Sequence, residues 1–221
     1  MLTQRTRIKL CGLSRPQDVQ AAATAGADAI GLVFYPPSPR HVSAQQAASL
    51  LAELPPFISS VGLFVNASLD EIKQTLRIAP LSMLQFHGDE TPAQCAQAAE
   101  TVARPFLRAI RIRPDTTTQD LLESAQLYRA SSPLFAGLLL DTWSDAYGGT
   151  GKVFDWSLIP EEIAHQAVLS GGLNAQNVTD AVRSLRPLAV DVSSGIESSK
   201  GIKDAALMHA FVNAVRAGDN H

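Results

Sequence analysis

Arg7-Ile-Lys-Leu-Cys-Gly-Leu-Ser-Arg-Pro-Gln-Asp-Val-Gln-Ala-Ala-Ala-Thr-Ala-Gly-Ala-Asp-Ala-Ile-Gly-Leu-Val-Phe34 decides the fold. It reads as strand, helix, strand. Side chains alternate across a strand, so Arg7, Lys9 and Cys11 share one face and Ile8 and Leu10 the other. An Ala-rich helical run over 15–25 stops at Gly26, a residue that tolerates the left-handed turn at a helix end. A second apolar strand follows over 29–34. The first strand therefore delivers a thiol, with an ammonium two residues before it, to its carboxyl end. In a parallel α/β protein, chemistry is done at that end.

The same alternation runs the length of the chain. Further strands are expected over 60–65, 83–87, 106–112, 135–140, 167–170 and 188–192. Ser43 caps a helix over 44–54, and Ser68-Leu-Asp-Glu71 reads as a capping box. Thr91 is a cap with Pro92 at the first helical position. Helices are expected over 118–129, around 159–163, over 174–185 and over 202–217. The strands are apolar throughout, as expected of a parallel sheet covered by helices. Eight such units over residues 1–221 predict one (β/α)8 TIM barrel domain. The alternative is an open doubly wound sheet, but the first turn, Cys11-Gly-Leu-Ser14, lacks the G-x-G-x-x-G of a dinucleotide unit.

Composition narrows the function. The 221 residues are 46% hydrophobic and 18% charged, enough for one sizeable core. A net charge of −3 and the absence of Lys/Arg runs argue against nucleic acid and membrane surfaces. The first ten residues carry no long apolar segment of a signal peptide, and Leu134-Phe-Ala-Gly-Leu-Leu-Leu140 is too short to span a bilayer. Two cysteines, Cys11 and Cys95, without a CxxC pair, point away from disulfides and zinc and towards a reducing cytoplasm.

The strand ends carry the candidate chemistry. Ser170-Gly-Gly-Leu173 and Asp191-Val-Ser-Ser-Gly195 follow strands seven and eight, where barrels often hold phosphate. Gly171, Gly172 and Gly195 let backbone N–H groups approach phosphate oxygens, and Ser193 and Ser194 add hydroxyl donors beside Asp191. The plainer reading is that these glycines only make turns. Cys11 is either a proton carrier activated by Lys9 or a buried small hydrophobe. Cys95, on an Ala-rich helix, is read as core. A carboxylate at Asp141, directly after an apolar run, is costly unless used. Burial there favours a carboxyl that keeps its proton, as a general acid needs; the alternative is a loop-ordering Asp. Gly148-Gly-Thr-Gly-Lys152 falls short of a P-loop because Val153 follows Lys152, so a mobile lid is expected. His87 is expected to shape the site. Arg40, on a loop stiffened by Pro36, Pro37 and Pro39, suits capture of a carboxylate or is a surface arginine.

Seven motifs appear in order: Lys9-Leu-Cys-Gly12; Gly31-Leu-Val-Phe34 with Ser38-Pro-Arg40; Gly62-Leu-Phe-Val-Asn66; Leu84-Gln-Phe-His-Gly-Asp-Glu90; Leu140-Asp-Thr142 with Gly148-Gly-Thr-Gly151 and Phe154-Asp-Trp156; Ser170-Gly-Gly-Leu-Asn174; and Asp191-Val-Ser-Ser-Gly-Ile-Glu197. Together the chain closely resembles the phosphoribosylanthranilate isomerase family. That resemblance implies a (β/α)8 enzyme of tryptophan biosynthesis that performs an Amadori rearrangement on a small phosphosugar. It needs no cofactor and no metal. It implies Cys11 as general base and Asp141 as general acid, with Arg40 orienting the anthranilate. Lys9 and His87 would also stand near substrate, and the last two loops would hold phosphate. A monomer or homodimer is expected.

Rival readings remain at this point. The histidine-pathway aldosylamine isomerase resembles this fold and chemistry, but places a carboxylate where Cys11 stands. A Schiff-base lyase would use Lys9. A non-enzymatic phosphate-binding barrel would need no acid and base.

Overall fold

Eight parallel strands close on themselves in sequence order in the computed structural model, which describes residues 5–142 and 155–220. Strand β1 (Arg7–Cys11) pairs with β2 (Ala29–Val33) on one side and β8 (Ala189–Val192) on the other, and this last pairing shuts the barrel. Between them run β3 (Ser59–Phe64), β4 (Met83–Phe86), β5 (Phe106–Ile112), β6 (Phe135–Thr142) and the two-residue β7 (Val168–Leu169). Helices α1 (Pro16–Ala25), α2 (Ala44–Ala52), α3 (Leu69–Ile78), α4 (Pro92–Val102), α5 (Thr118–Ser131), α6 (Glu161–Ala164), α7 (Val178–Leu185) and α8 (Ala205–Asp219) alternate with the strands.

Helix starts are fixed by side-chain chemistry. Ser43 with Gln46, Ser68 with Glu71, Thr91 with Gln94 and Thr117 with Asp120 each form a capping box. Each cap stabilises by about 1 kcal/mol. In a βα unit the helix start ends the loop that leaves the strand's carboxyl end, so these caps also anchor the loops around the barrel mouth.

The alternation of β1 is borne out. Ile8 and Leu10 are fully buried in the large core between strands and helices. Lys9 and Cys11 have the opposite parity and face the barrel interior. The floor of that interior is apolar, built from Leu107, Ala109, Leu139, Val168 and Ala189, with Met83 against them. Above it the inward side chains are mixed, with Lys9, Gln85, Asp141 and Asp191 beside Val33 and Leu63.

Three elements depart from expectation. The helix expected from residue 174 begins at Val178. Asparagine side chains divert the start: Asn174 accepts from the Gln176 backbone, Asn177 accepts from the Asn174 backbone, and Asn177 donates to the Gly172 carbonyl. Such local bonds compete with helix formation. The last helix begins at Ala205 under an Asp204 cap rather than at residue 202. Ile202–Lys203 instead forms β10 of a small hairpin with β9 (Glu197–Ser199), turned at Gly201 with φ +83°. Strand β6 runs two residues further than expected, so Asp141 lies within it, opposite Arg111.

One buried ion pair holds the rim of the barrel on the β4 side. Arg108 donates to Glu90 Oε2 at 2.7 Å and to the Gly88 carbonyl at 3.0 Å, with its guanidinium 5.5 Å from the centre of the Tyr128 ring. Glu90 also accepts from the Asn66 and Gly88 backbones, tying the ends of β3 and β4 together. Removing one partner of such a pair leaves an uncompensated buried charge. Arg108→Met is therefore expected to cost about 3–5 kcal/mol in urea unfolding. A loss below about 1 kcal/mol would place the rim's stability elsewhere.

Candidate active site

A cleft opens at the carboxyl ends of the strands. Cys11, Arg40, His87, Asp141, Gly171, Gly172, Asp191, Ser193 and Ser194 all line it. Tyr35, Leu63 and Val65 supply an apolar wall. Residues that the sequence scattered over seven of the eight strands and their loops thus meet in one place. The lid expected at Gly148-Gly-Thr-Gly-Lys152 lies outside the described residues, as does Phe154.

Cys11 sits in a space made by a missing side chain. A methyl group on Gly31, its register partner in β2, would lie 2.6 Å from Cys11 Sγ and 3.0 Å from Lys9 Nζ. Only glycine leaves room for the thiol and the ammonium there. Burial pushes the Cys11 thiol above its ordinary value, and nearby Asp191 adds to this; Lys9 pulls it down, but not enough to cancel burial.

Lys9 and Asp191, expected at substrate and phosphate respectively, face each other, and Asp191 also lines the cleft. Lys9 Nζ donates to Asp191 Oδ1 at 2.8 Å, and both side chains are almost fully buried. The physical reason is symmetrical. A buried ammonium needs a counter-ion, and a carboxylate aimed at a phosphate dianion would repel it. Burial alone would lower the Lys9 pKa, but Asp191 and the Cys11 thiol outweigh it and raise it. Lys9 is thereby held as an ammonium, which removes the free amine that a Schiff-base lysine must offer.

Asp141 is oriented by two residues of β4 and its end. Gln85 Nε2 stands 3.0 Å from His87 Nδ1, and His87 Nε2 stands 3.1 Å from Asp141 Oδ2. With the amide donating to Nδ1, the ring proton sits on Nε2 and points at the carboxyl. His87, expected to shape the site, stands between Gln85 and Asp141. On the far side, Gly171 (φ +84°) presses on Asp141: a methyl there would lie 2.8 Å from Oδ1 and would collide with the Thr142 backbone nitrogen. One of the glycine loops therefore abuts the carboxyl directly.

Arg40 is buried, not a surface arginine. Its fork is already half used: Nε donates to Glu197 Oε1 at 2.6 Å and Nη2 to Glu197 Oε2 at 2.9 Å. Glu197 does not engage Nη1. The loop is stiffened as expected, with Ser38 Oγ accepting from the Arg40 backbone and the Ser38 backbone donating to Tyr35.

Four contributors escaped the sequence reading as functional residues: Gly31, Gln85, Glu197 and Lys203. Gln85 was within reach, since it precedes His87 by two and shares its face. Gly31 and Glu197 stood in motifs that were quoted without a role for them. Lys203 gave no signal, because residue 202 onward reads as helix. Cys95 is core as expected, its thiol pushed up to about 12 by burial.

The model for the N-(5'-phosphoribosyl)anthranilate (PRA) isomerase family matches residues 8–214. N-(5'-phosphoribosyl)anthranilate isomerase of Herminiimonas arsenicoxydans is 60% identical over 218 residues, covering 99% of this chain and 96% of its own. The crystal structure of phosphoribosyl anthranilate isomerase from Thermotoga maritima superposes with a TM-score of 0.84 at 38% identity, covering 96% of this chain and 98% of its own. A further solved structure is of a phosphoribosyl anthranilate isomerase in complex with reduced 1-(o-carboxyphenylamino)-1-deoxyribulose 5-phosphate. Its TM-score is 0.81 at 36% identity, with 96% of this chain and 98% of its own covered.

The balance of charges around Cys11 sets its reactivity with pH. Only the thiolate is alkylated by iodoacetamide, and burial has moved its formation upward. The alkylation rate, followed by mass spectrometry, is expected to climb about tenfold per pH unit through neutrality and to keep rising past the range of an ordinary thiol. Lys9→Met removes the cation that acts most strongly on the thiol and should slow it further at each pH. A plateau below pH about 8 would mean a thiol activated at rest.

Proposed function

The chain belongs to the N-(5'-phosphoribosyl)anthranilate (PRA) isomerase family, and we propose that it works with Cys11 as general base and Asp141 as general acid. The reaction opens the ribose of N-(5-phosphoribosyl)anthranilate and rearranges the aldosylamine to the aminoketose 1-(2-carboxyphenylamino)-1-deoxyribulose 5-phosphate. The observation that carries the assignment is a single cleft lined by thiol, carboxyl, arginine and both glycine loops.

The steps follow from the residues. Asp141 gives a proton to the furanose oxygen as the C–O bond breaks, leaving a Schiff base that acidifies the C2 proton. Cys11, as thiolate, removes that proton, and the enolamine tautomerises to the ketone. The two groups lie on β6 and β1, so the sugar must lie across the barrel mouth between them. Backbone N–H groups around Gly171, Gly172 and Gly195, with the Ser193 and Ser194 hydroxyls, hold the phosphate. Arg40 reads the anthranilate carboxylate with its outer edge, while Tyr35 and Leu63 offer the aromatic ring an apolar wall. Fixing both ends contributes several kcal/mol of orientation.

Within this reading Lys9 acts on Cys11 and not on substrate, and Asp191 is its counter-ion. The working unit is one barrel domain over residues 1–221, as a monomer or homodimer, with a phosphosugar as its partner and neither nucleic acid nor membrane. No helix among the described residues is long and apolar enough to cross a membrane. A reducing cytoplasm is the fitting setting, since Cys11 serves only as a free thiol.

Cys11→Ala and Asp141→Asn should each lower kcat by about 10²–10⁴-fold in a fluorescence assay for loss of freshly made phosphoribosylanthranilate. Near wild-type kcat in either variant removes that residue from its role. Gly171→Ala inserts a methyl between the phosphate loop and the acid. It should raise KM and lower kcat together, a misplacement near 1 Å costing about 10²-fold. Unchanged KM would take the phosphate away from this loop.

A further inference from the structure

We propose that Glu197 is a positioning residue that locks Arg40 and the phosphate loop at Ser193 into one frame, so that both anionic ends of the substrate are gripped at a fixed separation. The proposal rests on the reading above, in which Arg40 meets the carboxylate and Ser193 the phosphate.

Glu197 is buried, its side chain 5% exposed, and its carboxylate is fully engaged. Oε1 accepts from Arg40 Nε at 2.6 Å and from Lys203 Nζ at 2.7 Å. Oε2 accepts from Arg40 Nη2 at 2.9 Å and from the Gly201 backbone at 3.2 Å. Lys203, wholly buried, carries the connection on by donating to the Ser193 carbonyl at 2.9 Å and to Ser193 Oγ at 3.2 Å. Arg40, Glu197, Lys203 and Ser193 thus form one continuous charge-assisted chain.

Direction follows from this chain. The guanidinium is planar, so pinning its Nε–Nη2 edge on Glu197 aims the Nη1–Nη2 edge. Because Lys203 donates to Ser193 Oγ, the hydroxyl hydrogen is turned away and free to donate elsewhere. Backbone contacts brace the same unit. A methyl on Gly12 would lie 2.5 Å from Arg40 Cδ and 3.2 Å from Ser193 Oγ, so the arginine stem and the phosphate loop converge where β1 delivers its thiol. Burial alone would push the Glu197 carboxyl up; Arg40 and Lys203 outweigh it and hold it below the usual carboxylate range.

Charge counting separates positioning from simple attraction. Two cations and one anion leave a net positive cluster. Replacing Glu197 by a neutral residue makes it more positive, which favours any free anion while loosening the geometry. A positioned pair of grips therefore predicts opposite responses for the whole substrate and for a free ion.

The test compares wild type, Arg40→Ala, Glu197→Gln and Glu197→Asp. Their preference for the anthranilate adduct over the aniline adduct is measured as a ratio of kcat/KM, and inorganic phosphate is titrated as a competitive inhibitor. Glu197→Gln is expected to lose about tenfold or more of the preference, mainly through KM, while binding inorganic phosphate as tightly as wild type or tighter. Glu197→Asp keeps the charge but is one methylene too short to span Arg40 and Lys203, so it should lose the preference as well; it also serves if the Gln variant does not fold. Wild-type preference in both variants overturns the proposal. So does retention by Asp of what Gln loses, which would make charge the cause. A parallel loss of kcat, KM and inorganic phosphate binding in both variants overturns it too, as general damage. If Arg40→Ala itself keeps the preference, the reading of the site falls with the proposal; if it loses the preference and the Glu197 variants do not, only the positioning role falls.

Discussion

The buried pair of Lys9 and Asp191 is the interaction on which the site depends. The two residues are register partners across the β1–β8 seam, where the barrel closes. Two residues on, with the same inward parity, β1 presents Cys11 and the chain after β8 presents Ser193. A strand rises about 3.3 Å per residue, so a fixed pair one pleat below sets the height of both groups. A one-residue slip at this seam would turn Cys11 towards the helices and bury the ammonium without a partner. The ion pair therefore makes the wrong register expensive at the place where a parallel barrel is most exposed to error, its last pairing. Its net contribution to stability is small or negative, because two charges were taken out of water to make it. Its value is in specifying one register.

Absent side chains do comparable work above that layer. Gly31 leaves the volume that Cys11 Sγ and Lys9 Nζ fill. Gly12, with φ +77°, lets the Arg40 stem cross the end of β1. Gly171 lets a phosphate loop touch the carboxyl of Asp141. Each is a point where two strands' functional groups converge, and a Cβ would separate them. Side chains from β1, β6, β8 and the loop after β2 can share one cleft because the backbone yields space at the crossings.

How much of this could be read in advance follows from what kind of signal each feature leaves. Strand and helix alternation is local and periodic, and it gave the barrel and the parity of Cys11 directly. Caps such as Ser68 with Glu71 are local too, and formed as expected. The start of α7 was misread because Asn174 and Asn177 bind nearby backbone instead of letting the helix begin, a competition that periodicity does not register. The β9–β10 hairpin was hidden inside what looked like the start of α8, since two short strands of two and three residues carry too little pattern. Which side chain takes which counter-ion was not legible at all. Lys9 is separated from Asp191 by 182 residues and Arg40 from Glu197 by 157, and no local pattern records a contact made only by closure.

Those long-range pairs also bear on the proposed role of Arg40, which requires an arginine to recognise a carboxylate inside a buried cleft. An isolated guanidinium there would carry a desolvation penalty, and a mobile one would lose rotamer freedom on binding. Arg40 has met both costs during folding, since Glu197 neutralises part of its charge and fixes its plane. A carboxylate bound as proposed would meet donors already aimed, as preorganised electrostatics requires. The loop after β8 is arranged alike: Lys203 lies behind Ser193 rather than in the cleft, lending positive potential without a flexible side chain at the surface. In the proposed reading, phosphate held by backbone and hydroxyl is supported from beneath by a buried cation, so the loops themselves need no lysine or arginine.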